Sequence, residues 1–113
     1  MTSTPFPETL AIAKLNDLLR TSFFGGKVLI TQGVRALGPE FESACVEAVQ
    51  SFGDFSPAND PYGEHDFGIV QIEGRSVYWK IDYYDRALEY GSENPADPKV
   101  TTRVLTIFLA EEY

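Results

Sequence analysis

Apolar residues at helical spacing predict an amphipathic helix from Glu8 to Thr21 near the start of the chain. Its apolar face would consist of Leu10, Ala11, Leu15, Leu18 and Leu19. Most polar side chains are expected elsewhere on the helix, among them Glu8, Lys14, Asn16, Asp17 and Arg20. Gly25-Gly26 should end the helical segment, because glycine favours the left-handed backbone found at helix ends.

A second helix is predicted from Pro39 to about Ser51, because proline suits the first turn and an apolar stripe follows it. Cys45 lies on that stripe, so we expect it in the core. Between the two helices, the short apolar run from Val28 to Ile30 predicts a strand.

The clearest local pattern is a β-hairpin formed by Phe67–Glu73 and Ser76–Tyr84. The intervening Gly74-Arg75 suits a two-residue type II′ turn, which favours glycine at its first position. This turn would place Val70 opposite Trp79, whereas a shift by one residue would bring Asp66 and Arg75 onto the apolar face. We therefore expect the first register, in which the opposite face carries Gln71, Tyr78, Lys80, Asp82 and Tyr84.

The segment from Thr102 to Ala110 is rich in β-branched residues and apolar on both faces, which predicts a central strand. A helix that begins after Asp97-Pro98 is the alternative. The order α-β-α-β-β-β predicts an α+β fold, in which two helices pack on a mostly antiparallel four-stranded sheet. With 113 residues, of which 43% are hydrophobic, residues 1–113 are expected to form a single domain.

Charge narrows the choice of partners. Seventeen acidic residues against nine lysines and arginines give a net charge of −8. Most of this excess lies between Asp54 and Asp97, where ten acidic and three basic residues give a net charge of −7. Such a chain lacks the basic surface that binds nucleic-acid phosphates, so we expect no direct nucleic-acid binding. A basic protein surface is the expected partner, and charge that serves solubility alone is the alternative.

The cysteine, histidine and apolar content of the chain excludes several kinds of protein. One cysteine permits no intramolecular disulfide, no histidine or cysteine spacing typical of a metal site is present, and no cofactor is predicted. The N-terminus has no signal-peptide pattern, and no apolar run approaches the length of a membrane span. These features predict a cytoplasmic protein without a membrane partner.

His65 is the candidate centre of chemistry, because it is the single histidine and lies in the densest polar stretch, from Asn59 to Gly68. The expected hairpin register brings His65 and Asp66 near Tyr83, Tyr84 and Asp85. A histidine beside Asp66, Asp82 and Asp85 is suited to act as a general base or to hold a divalent metal. The favoured alternative is a structural turn at Asn59-Asp60-Pro61 with a hydrogen-bonded histidine, and no catalytic residue is assigned.

Surface residues of the same region are the candidates for binding. Aromatic residues dominate the energetics of many interfaces, and the expected register points Trp79 and Tyr83 inward but Tyr78 and Tyr84 outward. Together with the polar loop, this gives a candidate binding set of Asp60, Tyr62, Glu64, Tyr78, Lys80 and Tyr84.

Several segments closely resemble those of domain-of-unknown-function family 3768. They include Gly25-Gly26-Lys27-Val28, the run from Asn59 to Gly68, WKIDYYD at Trp79–Asp85 and TRVLTI at Thr102–Ile107. The resemblance covers nearly the whole chain and implies a bacterial protein, often carried on plasmids or other mobile elements. It implies no established activity and no catalytic residues, and by association it suggests an accessory role in defence or transfer.

Three functions remain open from the sequence. The first is a non-enzymatic protein that binds a basic protein surface through its acidic middle region, with anti-defence activity or nucleic-acid mimicry included. The alternative is a small hydrolase or nuclease centred on His65 and nearby carboxylates. A third is a homo-oligomer that buries a sheet face bearing Phe67, Ile69, Tyr78 and Phe108.

Overall fold

The computed structural model describes residues 7–113 and has the expected α+β fold. The elements are α1 (Pro7–Ser22), β1 (Lys27–Ile30), α2 (Gln32–Ala36), α3 (Pro39–Gln50), β2 (Phe67–Ile72), β3 (Arg75–Tyr84) and β4 (Thr102–Leu109), followed by a 3-10 turn at Ala110–Glu112. Both long helices, the hairpin and the last strand confirm the sequence-based predictions. The short helix α2 was not predicted; Thr31 caps it by accepting a hydrogen bond from the Val34 amide.

The four strands form one sheet in the order β1-β4-β3-β2. β4 lies between β1 and β3, so the segment from Thr102 is a central strand and the helical alternative is wrong. β2–β3 and β3–β4 are antiparallel, whereas β1 and β4 run parallel. The sheet is therefore mixed. The connection through α2 and α3 runs from β1 at one edge of the sheet to β2 at the other edge.

The predicted hairpin register is wrong. The turn lies one residue earlier in the chain than predicted, so each predicted strand pairing is displaced by two positions. Val70 pairs with Val77 and Gly68 with Trp79, and the turn is Glu73-Gly74, with φ of 50° and 80° as a type I′ turn requires. This register brings Asp66 and Arg75 onto the helix-facing side, at the two ends of the hairpin. It is favoured because Gly68, which has no side chain, leaves room for the indole of Trp79 across the ladder.

The buried face of α1 also differs from the prediction. It consists of Ile12, Ala13, Asn16, Leu19 and Arg20, whereas Leu10 and Leu18 are each 44% exposed. Two polar residues thus replace two of the predicted leucines on the buried face. Hydrophobic periodicity alone predicted the wrong buried face of α1, because hydrogen bonds to distant segments offset the cost of burying the polar groups.

The helices cover one face of the sheet and leave the other open. Trp79 is fully buried between the layers, with the Phe52 ring edge-on at 5.4 Å. Cys45 is also fully buried, as predicted, and burial, reinforced by Glu42 and Glu73, raises the pKa of its thiol to about 11. In the part of the chain that the structure describes, no helix is both long and apolar enough to cross a membrane.

Candidate functional site

A buried hydrogen-bond network joins α1 to the sheet and to the loop before β2. Asn16 is fully buried, and its Nδ2 donates to the backbone oxygen of Glu64 (2.9 Å) and to the Tyr83 hydroxyl (2.8 Å). Its Oδ1 accepts from Arg103 Nε at 2.8 Å. One side chain of α1 therefore fixes β3, β4 and the polar loop relative to each other.

Tyr83 and Arg103 complete this network on the helix-facing side of the sheet. Tyr83 donates to Glu64 Oε1 at 2.7 Å, and burial together with this bond raises the pKa of the phenol well above its usual range. The Arg103 guanidinium lies 5.2 Å from the centre of the Tyr83 ring and also donates to the Pro95 carbonyl. Burial lowers the pKa of Arg103. An arginine nevertheless keeps its charge at neutral pH.

His65 lies beside this network, between two carboxylates that the sequence did not pair with it. Its Nδ1 lies 3.0 Å and 3.1 Å from the two Asp17 oxygens, so Nδ1–H donates to that carboxylate. Nε2 lies 3.6 Å from Asp60 Oδ2. The ring stacks on Phe55 at a centroid distance of 3.9 Å, and the residue has a positive φ of 57°. His65 thus packs on three sides.

Arg20 connects the histidine to the hydrophobic core. It donates to Asp17 Oδ1 at 2.8 Å and to the Phe52 carbonyl at 3.0 Å, and its guanidinium faces the rings of Phe55 and Trp79. Its Nε is buried and has no partner among the described residues. Asp17 therefore accepts hydrogen bonds from two side chains, Arg20 of its own helix and His65 of the loop before β2.

The structure does not bring the predicted carboxylates to the His65 ring. Asp66 is held in the β-ladder, where its backbone oxygen accepts from the Ile81 amide. Asp82 contacts Lys80 at 3.2 Å on the open face, and Asp85 accepts from the Glu89 amide in the following turn. The two-position change in register accounts for the separation of His65 from Tyr84 and Asp85.

An Asp–His pair is a known general-base arrangement, in which the second ring nitrogen receives a proton from the reacting group. Here Asp60, whose side chain is almost buried, occupies the position next to that nitrogen. No serine, threonine or cysteine side chain is hydrogen-bonded to His65 within residues 7–113. The arrangement is better suited to fixing the loop than to activating a nucleophile.

The candidate binding residues fall into two separate groups. Asp60 and Glu64 anchor the polar loop through His65 and Tyr83, and Tyr62 projects from it with 81% of its surface exposed. Tyr78, Lys80 and Tyr84 lie on the open face of β3, with Asp82 between the last two. On that face Tyr78 packs at 5.6 Å against both Phe67 and Phe108.

Two acidic segments meet at one end of the sheet. β2 begins where β3 ends, and β4 begins opposite the last residue of β3, so residues 53–66 and 85–101 leave the sheet at the same end. Together they contain eight acidic and two basic residues, a net charge of −6. We call this the acidic end; its acidic residues are Asp54, Asp60, Glu64, Asp66, Asp85, Glu89, Glu93 and Asp97.

The carboxylates of the acidic end are spread rather than focused on one point. Across residues 7–113, no group of three or more histidine, cysteine, aspartate or glutamate side chains is placed to hold a metal ion. Burial raises the pKa of Asp66, and repulsion from Glu64, Asp60 and Asp82 adds to the effect. The negative charges of Glu64, Asp60 and Asp82 therefore oppose ionisation of the Asp66 carboxyl.

Sequence reasoning missed Asn16, Asp17, Arg20 and Arg103, which hold the network together. The signal was present in α1: Asn16 and Arg20 are four residues apart and in helical phase with Ile12 and Leu19. For Arg103 the signal was an arginine within an otherwise apolar central strand. Buried polar residues in such positions require hydrogen-bond partners, and these lie far away in the sequence.

Fold and network together define a small α+β protein with a helix layer on one sheet face and a buried polar network at the acidic end. The model of the family described as "Protein of unknown function (DUF3768)" matches residues 30–112. The chain belongs to this family, as the resemblance indicated. No curated protein and no solved structure matches the chain.

Proposed function

We propose that this protein is a non-enzymatic binding protein whose acidic end contacts a basic protein surface. The observation that carries the proposal is the convergence of residues 53–66 and 85–101 at one end of the sheet. The sheet topology brings a charge excess that is merely regional in the sequence to one end of the molecule. Such a surface steers a positively charged partner and favours its association.

The internal contacts of the acidic end favour docking over catalysis. Asp85 and Asp97 accept hydrogen bonds from the backbone amides of Glu89 and Lys99, so these carboxylates shape the loop. Glu89 and Glu93 remain exposed. Exposed carboxylates such as those of Glu89 and Glu93 present charge over an area, whereas hydrolysis requires groups that converge on one substrate atom.

The biological setting of this proposal comes from the family resemblance, which implies bacterial proteins that are often plasmid-borne. In that setting the protein would be an accessory factor of a mobile element, with a basic protein of the host or the element as its partner. A partner that ordinarily binds nucleic acid would fit, because such proteins expose basic surfaces.

The alternative function, a hydrolase centred on His65, rests on the Asp17–His65 pair. It requires Asp60 to move from Nε2 and admit substrate. Turnover of phosphoesters or peptides that is lost in His65→Ala but retained in Asp60→Ala would favour the hydrolase over the binding protein.

The binding proposal is tested with a lysine- and arginine-rich peptide, followed by fluorescence anisotropy at low and physiological salt. Glu89→Lys/Glu93→Lys changes two exposed charges at the acidic end. Glu73→Lys/Glu111→Lys changes two exposed charges at the opposite end of the sheet, and gives the same net charge. We expect the first variant to lose most of the affinity and the second to lose little, with steep weakening of wild-type binding as salt rises.

Equal losses in the two double variants would contradict the proposal, because binding would then follow net charge and not the acidic end. Circular dichroism of both variants checks that each is folded. Interaction with an acidic peptide of the same length should remain undetectable in all three proteins.

A further inference from the structure

A cavity of about 380 Å³ lies between the C-terminal half of α1, the turn before β1 and the start of β4. Its lining residues come from four separate parts of the chain: Leu15, Leu18, Phe24, Gly25, Gly26, Arg86, Pro98, Thr101, Thr102 and Arg103. Its volume falls within the range of small-molecule sites. The cavity is separate from the contacts of His65.

Two arginines give this cavity a positive charge. Arg103 is 2% exposed, and Arg86 lies on the exposed loop after β3. Neither has a carboxylate oxygen within 4.0 Å among residues 7–113, since both are missing from the ion pairs found there. Arg103 reaches Glu64 only through Asn16 and Tyr83. A buried guanidinium without a direct counterion attracts an anion.

The lining contains no aspartate or glutamate, although the chain has seventeen acidic residues. Three other cavities of the described chain each include at least one acidic residue: Glu42 and Glu47, Glu112, or Asp85 and Glu93. Arg86 borders the last of these as well. The cavity at Arg103 is therefore a cationic site within a strongly acidic protein.

The other wall of the cavity is apolar and accessible. Phe24 is 72% exposed and Leu18 is 44% exposed, which leaves two large apolar side chains at its rim. The turn that carries Phe24 lies directly against β4, because a Cβ atom at Gly26 would approach the Arg103 carbonyl oxygen to 2.6 Å. This close contact holds the turn that carries Phe24 beside Arg103.

We propose that this cavity binds a small organic carboxylate, with the carboxylate at Arg86 and Arg103 and an apolar body against Leu18 and Phe24. Arginine binds carboxylates through paired N–H donors, and the hydroxyls of Thr101 and Thr102 border the same space. An apolar body is required because acetate alone would leave Leu18 and Phe24 in water. The cavity shares Arg86, Pro98 and Thr101 with the acidic end, but its lining contains no carboxylate, so its expected ligand has the opposite charge to the basic partner proposed above.

The proposal is tested by titrating the full chain, labelled with nitrogen-15, with 3-phenylpropionate and following the backbone amides by NMR. We expect saturable shifts at Phe24, Gly25, Gly26 and Thr102 with roughly millimolar affinity. Acetate, which lacks the apolar body, and 3-phenylpropanol, which lacks the charge, should each bind at least about tenfold more weakly. Inorganic phosphate tests whether charge alone is sufficient.

Arg86→Gln should weaken 3-phenylpropionate binding about tenfold or more, and Phe24→Ser should weaken it by a similar factor. Arg75→Gln is the matched control, because Arg75 is an exposed arginine at the opposite end of the sheet, and it should bind as the wild type does. Arg103 itself is left unchanged, since it also supports Asn16 and Pro95.

Three results would overturn the proposal: no saturable shift around Phe24, equal binding of the acid and the alcohol, or unchanged binding in Arg86→Gln. Tighter binding of phosphate than of 3-phenylpropionate would also overturn it and would assign the cavity to an inorganic anion. The amide spectra of the variants, compared away from the cavity, establish that each is folded.

Discussion

Buried polar side chains decide how α1 sits on the sheet. Asn16 and Arg103 are almost fully buried and lie 87 positions apart in sequence, yet they form a direct hydrogen bond. A buried polar group without a partner costs about 1–3 kcal/mol, so a complete network specifies one arrangement of the helix over others. The leucines that pattern analysis placed inward could have been buried with α1 rotated, but that rotation would leave Asn16 without these partners.

Asn16→Ala is expected to lower the free energy of unfolding by roughly 2–4 kcal/mol, because it removes three hydrogen bonds and leaves Arg103 Nε without a partner. Urea denaturation monitored by Trp79 fluorescence measures the change. Lys14→Ala, an exposed substitution on the same helix, should have little effect. Equal effects of the two substitutions would show that the network adds no stability.

Asp66→Asn is expected to stabilise the protein at neutral pH by less than about 1 kcal/mol. Burial and the neighbouring Glu64, Asp60 and Asp82 raise the pKa of Asp66, so its charged form is disfavoured in the folded state. A raised carboxyl pKa makes a favourable contribution below the unfolded value, and this contribution is lost as pH rises through the folded value. The advantage of Asp66→Asn should therefore disappear in acid.

Denaturation curves at pH values from neutral to strongly acidic check this prediction. Asp54→Asn is the control, since Asp54 is an exposed aspartate of the same loop. A destabilising effect of Asp66→Asn at neutral pH would mean that the carboxylate makes favourable contacts that outweigh its burial.

At the scale of single elements, the geometry of strand pairing determines the hairpin register, which the alternation of apolar and polar residues leaves open. Both hairpin registers considered from the sequence keep Val70, Ile72, Val77 and Trp79 on one face, so hydrophobicity alone separates them poorly. The adopted register has a type I′ turn and places Gly68 across from Trp79. A single glycine thus has more influence on the register than the polar residues at the two ends.

Gly68→Ala is expected to lower the free energy of unfolding by about 1–3 kcal/mol through overpacking. A Cβ atom at position 68 would lie 2.7 Å from Trp79 Cε2 and 2.9 Å from Phe52 Cζ. Gly53→Ala is the matched control, because nothing lies within 4 Å of a Cβ atom there. Thermal denaturation of both variants gives the comparison, and equal melting temperatures would contradict the packing explanation.

Glu112 links the end of the chain to the turn between β1 and α2. Partial burial opposes its ionisation, but hydrogen bonds from the Leu109 amide, the Thr31 hydroxyl and the Gly33 amide outweigh this and lower the pKa of Glu112. Glu112→Gln should lower the free energy of unfolding by about 0.5 kcal/mol at neutral pH, after allowance for solvent screening.

The effect of Glu112→Gln should depend on pH with a defined sign. A lowered carboxyl pKa contributes stability above the unfolded value, and this contribution is lost as pH falls through the folded value. Wild type and variant should therefore converge in acid, as measured by denaturation over a pH series. Glu111→Gln, at the exposed neighbouring position, is the control for the loss of one carboxylate.

At the scale of the whole molecule, the sheet topology collects negative charge. Local sequence places four acidic residues before β2 and four between β3 and β4, and antiparallel pairing brings both segments to one end. In the folded state the carboxylates of the acidic end repel one another, and this repulsion is weaker in an extended chain. A basic partner would remove this repulsion, which connects the stability of the protein to its proposed function.

Salt should raise the melting temperature of the isolated protein. Between about 0.01 M and about 0.15 M sodium chloride the Debye length falls from about 30 Å to about 8 Å, which screens the acidic end. Glu89→Gln/Glu93→Gln should melt higher than the wild type at low salt, and by less at high salt. Differential scanning calorimetry measures the melting temperatures of the wild type and the variant at both salt concentrations. A melting temperature independent of salt would show that charge repulsion at the acidic end does not destabilise the protein.

The sequence by itself determined the α+β class, both long helices, the hairpin faces and the central position of the last strand. These features depend on local periodicity, since neighbours three and four residues apart share a helix face and alternate residues share a strand face. Pro39 and the β-branched residues of Thr102–Ala110 therefore predict their own elements correctly.

Only the tertiary structure decided the hairpin register, the buried face of α1, the partners of His65 and the meeting of the two acidic segments. Each depends on contacts between residues distant in sequence, such as Gly68 with Trp79 beyond the turn, Asn16 with Arg103 and His65 with Asp17. Hydrophobic patterning scores a polar residue as exposed, whereas a polar residue with complete hydrogen bonding is stable when buried. Partners for those hydrogen bonds exist only once the chain has brought α1, the loop before β2 and the sheet together.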